Sequence, residues 1–155
     1  DLMSMFAHFT YSLLATIGYA IFFQLPKKLL IYAGLTGAIG WIVNVLLTQA
    51  DASLAFANLA AAIAVAVMSE IFSRISRNPV TMFVIPGILP ITPGYSLYMT
   101  MYYFTQNQIE NALSKGLQTL AIAGAIAIGI MLVSSFGKIS RNIIARRLMK
   151  DRHDI

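Results

Sequence analysis

Apolar residues along this chain fall in long blocks parted by short polar interruptions, without the alternation of a half-buried strand. The first block covers residues 3–25 and stops at Pro26-Lys27-Lys28. The second, 29–48, closes at Gln49-Ala50-Asp51-Ala52-Ser53, and the third, 54–72, ends in Ser73-Arg74-Ile75-Ser76-Arg77-Asn78-Pro79. A fourth apolar region, 80–105, is interrupted by prolines, and after a polar stretch at 106–116 a fifth runs over 117–136. A membrane-spanning helix needs about 20 predominantly apolar residues. The pattern therefore predicts an all-α integral membrane protein of about five transmembrane helices, with no soluble domain of any size. It divides the chain into a transmembrane bundle, 1–137, and a basic tail, 138–155. The first block lacks a basic leader and a small-residue cleavage site, so it reads as a membrane helix and not as a signal peptide.

Composition supports this parse. Of the 155 residues 58% are hydrophobic and 11% charged, against roughly 25% charged in soluble domains. That leaves too few charges to coat a soluble core. The net charge of +5 could suggest nucleic acid, but its placement points to topology. With five spans, Lys27, Lys28, Arg74, Arg77, Lys138, Arg141, Arg146, Arg147, Lys150 and Arg152 fall on one side, and of the 11 basic residues Lys115 alone falls on the other. The positive-inside rule then places the N-terminus, Asp1, outside and the tail in the cytoplasm of a cell inner (plasma) membrane. The tail, with Ile139, Ile143 and Met149 among its basic residues, is suited to lie on anionic lipid.

Small residues mark helix contacts. Gly34, Gly37 and Gly40 recur every three residues, and Ala33 with Gly37 forms a small-xxx-small pair. The third span carries Ala57, Ala60, Ala61, Ala62, Ala64 and Ala66, and the fifth Ala121, Gly124, Ala125 and Gly129. Such residues let backbones approach closely where lipid removes the hydrophobic driving force.

The segment Pro86-Gly87-Ile88-Leu89-Pro90-Ile91-Thr92-Pro93-Gly94 is the most informative. Each interior proline costs a helix about 3 kcal/mol and each glycine about 1, so the cluster cannot lie in one regular helix. Apolar residues flank it on both sides, which puts the break at membrane depth, where irregular backbone survives only inside protein or beside a watered cavity. Thr92 followed by Pro93 reads as N-cap and first position of a new helix. Its free N–H groups would then favour an anion such as a carboxylate. Discontinuous helices of this kind hold substrates in transporter folds. Tyr95, Tyr98 and Tyr102 share a helical face beyond the break; Tyr95, nearest to it, is the cavity candidate, while Tyr102 and Tyr103 suit an interface. Trp41 reads as a packing or interface residue.

Glu70 is the acidic residue within a span, about one turn from its basic end. It reads either as a proton relay or as a snorkelling partner of Arg74, four residues on. Asn44 and Asn58, in the second and third spans, read first as interhelical hydrogen-bonding residues and second as substrate contacts. Enzymatic readings fail on inventory. His8 and His153 lie on different segments from each other and from Glu70, which excludes a joint metal site. No base stands ready for a nucleophilic serine. The chain has no cysteine, and no phosphate-binding glycine loop appears. No cofactor is expected.

Through Pro86, Gly87, Pro90, Pro93 and Gly94 the chain resembles the threonine/serine exporter family, whose members carry a Pro-Gly-x-x-Pro-x-x-Pro-Gly signature. It is similar to the C-terminal five-helix half, in some bacteria a separate small subunit beside a larger one. Family members often have Leu-Val where this chain has Ile91-Thr92, a departure that adds a hydroxyl. The resemblance implies export of small carboxylate metabolites, threonine and serine in fused members and a dicarboxylate such as succinate in some split ones. It further implies a larger membrane subunit or a homo-oligomer as partner. This agrees with the odd span count and the lack of an internal repeat. The leading expectation is thus a proton-coupled secondary exporter subunit that binds substrate at Pro86, Gly87, Pro90, Thr92, Pro93, Gly94 and Tyr95, with Glu70 as coupling candidate. The alternative is a non-transporting membrane scaffold or assembly subunit.

Overall fold

Four helices of this protein end at residues that take the left-handed conformation, and none of these is glycine. Gln24, Asp51, Arg77 and Asn107 have φ between 56° and 59°, each closing one helix before the chain turns back. Gly34, Gly37, Gly40, Gly87 and Gly129 serve helix contacts instead. The computed structural model describes residues 2–153, with side-chain surroundings for 3–139. The expectations for Asp1, for the basic side chains from Arg141 onward, for Ile143 and Met149 and for the His153 side chain lie outside those described.

Six α-helices follow in order: α1 Leu2–Phe22, α2 Leu30–Gln49, α3 Leu54–Ser76, α4 Thr81–Ile88, α5 Gly94–Thr105 and α6 Ile109–His153. A 3-10 turn at Lys27–Leu29 leads into α2, and another at Leu89–Ile91 extends α4. Among the described residues no strand forms. α1, α2, α3 and the Ile109–Ile139 part of α6 are each long and apolar enough to cross a membrane. Thr81–Ile91 and Gly94–Thr105 are long and apolar enough only together, with a bend of 51° between them, which makes four crossings, or five where the pair acts as one broken span. At 1.5–2 Å per residue each half is about 18 Å long, so in a single broken span the break falls near the middle of a ~30 Å hydrocarbon layer.

α1 packs on α2, α2 on α3, α3 on α6 and α5 on α6, while α4 lies against α2 and α3. The contacts are as close as the small residues suggest. A methyl at Gly37 would overlap the Thr16 side chain, and one at Gly129 would stand 2.9 Å from Ala62 Cβ and 3.0 Å from the Leu59 carbonyl. Ala33, Ala57, Ala61 and Ala62 are fully buried. The fifth-span reading holds only in part: Gly124 has no neighbour within 4 Å and Ala121 is exposed, so both face away from the bundle.

Ser53 caps α3 as its hydroxyl accepts the Phe56 amide at 3.3 Å, satisfying a donor that the first turn leaves free. Hydroxyls in the bundle turn back on their own helices: Thr16 donates to the Ser12 carbonyl at 2.7 Å, Thr36 to Tyr32 at 2.9 Å and Ser69 to Val65 at 2.7 Å. Each is thereby satisfied without a partner helix.

One boundary differs clearly from the sequence reading. The expected polar connector at 106–116 is mostly helix, because α6 starts at Ile109. Residues 109–116 contain no proline, and the Ala112 amide reaches the Gln108 carbonyl at 3.0 Å. Ala112, Gly116 and Thr119 recur at helical spacing, lining with Leu97 and Thr100 the seam between α6 and α5. At the other end α6 continues through Gly137 without interruption, so no backbone break separates bundle from tail.

Candidate functional site

The break between α4 and α5 is built from three residues. Thr92 is extended, with φ −62° and ψ 135°. Pro93 follows at φ −76° and ψ 54°, the geometry of an inverse γ-turn, and the Gly94 amide accordingly donates to the Thr92 carbonyl at 2.7 Å. The Pro93 carbonyl then accepts from the Leu97 amide at 3.0 Å and opens α5. The start of this helix therefore lies one residue later than the sequence suggests. Pro93, not Thr92, is the N-cap, and it supplies no side-chain cap. Thr92 Oγ1 points the other way and donates to the Ile88 carbonyl at 3.1 Å. That bond ties off the end of the preceding helix, so the hydroxyl is engaged backward and the first turn of α5 keeps its free N–H groups.

The break sits deep. Ile91 is buried in a cluster with Ala61, Ala62, Val65, Ile122 and Ile126, and Val65 is the central residue of the 23-residue α3. Beside it opens a cavity of about 670 Å³, room for roughly twenty waters at ~30 Å³ each. The break contributes residues 89–96 to its wall. α2 adds Trp41 and Asn44, α3 adds Leu54 and Asn58, α6 adds Lys115, Gln118 and Ile122, and Tyr19 reaches in from α1.

Of the residues singled out in the sequence, Pro90, Thr92, Pro93, Gly94, Tyr95, Asn44 and Asn58 come together on this cavity. Pro86 and Gly87 do not. Both lie within α4 and are buried, and a methyl at Gly87 would stand 2.8 Å from Thr36 Cγ2 and 3.2 Å from Val65 Cγ1. They thus pack α4 against α2 and α3, and the irregular backbone is confined to the later part of the cluster. Asn58 Nδ2 donates to the Leu54 carbonyl of its own helix at 2.8 Å. Asn44 and Asn58 both line the cavity wall.

Glu70 is remote from the break. It lies twelve residues beyond Asn58 on α3, about 18 Å along the helix. There it lines a separate cavity of about 280 Å³ with Val67, Ile71, Arg74, Val133, Phe136 and Gly137. Its Oε2 is 4.0 Å from the half-exposed Arg74 guanidinium, while Glu70 itself is largely buried.

Sequence reasoning missed Lys115, Gln118 and Tyr19 and placed Trp41 only as packing. A signal for Lys115 existed, because it is the basic residue that breaks the charge asymmetry. Lys115, Gln118 and Ile122 also share a helix face by their spacing of three and four. In the structure Lys115 Nζ donates to Gln118 Oε1 at 3.0 Å. The Trp41 indole donates to His8 Nδ1 at 3.4 Å, which orients the ring at the cavity.

Residues 8–136, a stretch that includes the whole break, match the family described as Threonine/Serine exporter, ThrE. The chain belongs to this family. It is therefore a multi-pass membrane protein of an exporter family, as its apolar helices require. A protein of Haemophilus influenzae described as uncharacterized is 25% identical over 130 residues, covering 79% of this chain and 44% of that protein. The chain thus spans less than half the length of this curated relative. No solved structure matches it.

Proposed function

We propose that this threonine/serine exporter family chain is a subunit of a secondary transporter. It exports a small carboxylate metabolite, either an amino acid such as threonine or serine or a dicarboxylate such as succinate. The substrate site is the cavity at Thr92–Tyr95. The observation that carries this reading is the cavity itself: a break between two helices, opened onto polar side chains from four other helices. Irregular backbone at membrane depth is tolerated when it lines such a space, and discontinuous helices in transporters serve as substrate sites. A scaffold would need neither the cavity nor its polar wall.

In this reading the basic end, with Lys27, Lys28, Arg74, Arg77 and Lys138, is cytoplasmic and the Lys115 end is outside. Glu70, near the cytoplasmic end, couples transport to protons: it is largely shielded, yet has a small cavity beside it through which protonation can occur. The chain works without a cofactor and catalyses no covalent reaction. More than half of the Haemophilus relative lies outside the matched region, which supports a larger membrane subunit, or further copies of this chain, completing the transporter.

The test is reconstitution into proteoliposomes, with and without a candidate larger subunit, loaded with labelled threonine, serine or succinate. A proton gradient should drive efflux of at least one of them. Vesicles that retain all three under every subunit combination would exclude the exporter reading and favour the scaffold.

A further inference from the structure

We infer that Lys115 is the carboxylate-binding cation of the cavity, an assignment that rests on the exporter reading above. Lys115 lies seven residues before Ile122 on α6, about 10 Å along the helix, and lines the same cavity as the break. It is half-buried and lines the cavity together with Thr92, Tyr95, Asn44, Asn58 and Gln118. None of these is acidic. The polar partner of its Nζ is the neutral Gln118 amide at 3.0 Å. The cavity wall therefore carries one positive charge and no side-chain negative charge.

A lysine at a helix end can serve as a mere interfacial anchor, with its stem along the bilayer and its head in water. Three features favour a binding role. The ammonium is held over the cavity by Gln118, a fixed neutral acceptor that leaves the charge uncompensated. The other basic side chains among the described residues, Lys27, Lys28, Arg74, Arg77 and Lys138, sit at the opposite end of the bundle. The first turn of α5, at Tyr95 and Ser96, adds N–H groups to the same wall, so ammonium and amides can engage one anionic group together. An ammonium on the same ligand would meet only the neutral oxygens of Asn44, Asn58 and Gln118.

The full chain in lipid nanodiscs tests this directly, because Trp41 is its single tryptophan and lines the cavity. Succinate and threonine are the probes, with succinamide and threoninamide as counterparts lacking the carboxylate. At least one carboxylate should shift Trp41 emission saturably, and its amide should not. Lys115→Gln should weaken that binding by about ten- to a hundred-fold, the loss of a charge-assisted hydrogen bond, while Lys115→Arg should stay within a few-fold of wild type. Unchanged affinity in Lys115→Gln, equal binding of the amide, or no saturable response to either carboxylate would overturn the assignment. Transport by wild type in proteoliposomes separates the cases: export that Lys115→Gln leaves intact removes Lys115 alone, whereas no export removes the exporter reading as well.

Discussion

The Glu70 carboxylate lies against the backbone of α6 at Gly137: a methyl there would stand 2.7 Å from Oε1 and 2.9 Å from Cδ. α3 and α6 therefore meet at their basic ends through a glycine and a carboxylate. The same two helices meet again eight residues earlier, where Gly129 faces Ala62 Cβ and the Leu59 carbonyl.

These two glycines should respond differently to the same substitution. At Gly137 the obstacle is the far end of a flexible side chain, so Gly137→Ala should swing the carboxylate aside and cost under about 1 kcal/mol. At Gly129 the obstacle is backbone and a Cβ, so Gly129→Ala must part the helices and should cost about 1–3 kcal/mol. Gly124→Ala, with no neighbour within 4 Å, should be neutral or slightly stabilising. Thermal unfolding in detergent ranks the three, and a Gly129 variant as stable as the Gly124 variant would refute the packing described.

Glu70 and Arg74 separate by function. With the pair 4.0 Å apart and Arg74 half-exposed, Arg74→Gln should change stability by less than about 1 kcal/mol and leave transport intact. Glu70→Gln should insert normally but lose efflux driven by a pH gradient. Normal pH dependence in Glu70→Gln proteoliposomes would remove Glu70 from the coupling mechanism.

The three prolines of the cluster should also divide. Pro90 and Pro93 shape the cavity wall, while Pro86 packs inside α4. The double variant Pro90→Ala, Pro93→Ala should let the helix re-form across the break and lower efflux at least ten-fold with expression retained. Pro86→Ala should keep most of the activity. Equal losses from both would mean that bending the helix, and not the cavity, is what transport needs.

Block length and composition made the four unbroken crossings legible in the sequence, since neither depends on tertiary contacts. The proline cluster revealed the break for the same local reason. Its inner geometry was not legible: Pro86, sixth of the eight residues of α4, stays inside that helix, and the Thr92 hydroxyl donates to the Ile88 carbonyl behind it, not toward the helix ahead. The wall opposite the break was hidden as well. Lys115, Gln118 and Trp41 reach it only through the packing of α5 on α6 and α2 on α3, and nothing in a single chain's spacing reports which helices become neighbours. Asn58 bonds the Leu54 carbonyl of its own helix, a local satisfaction that its spacing alone does not report.

Orientation is open to direct measurement in this cysteine-free chain. Single cysteines at Arg77 and Asn107, which close helices at opposite ends of the bundle, should be labelled by an impermeant thiol reagent from opposite faces of the membrane. Arg77 should react from the cytoplasmic side. Labelling of both from one face would contradict the five-crossing topology.

Substrate protection at the break tests the central claim most directly. Thr92→Cys in reconstituted protein should react with a small hydrophilic thiol reagent, and a transported carboxylate should slow that reaction in a saturable way. Ile85→Cys, on the exposed face of α4, should be indifferent to substrate. Thr92→Cys that is inert to the reagent, or that reacts equally fast with and without a carboxylate the protein is seen to export, would contradict the assignment of the cavity as the substrate site.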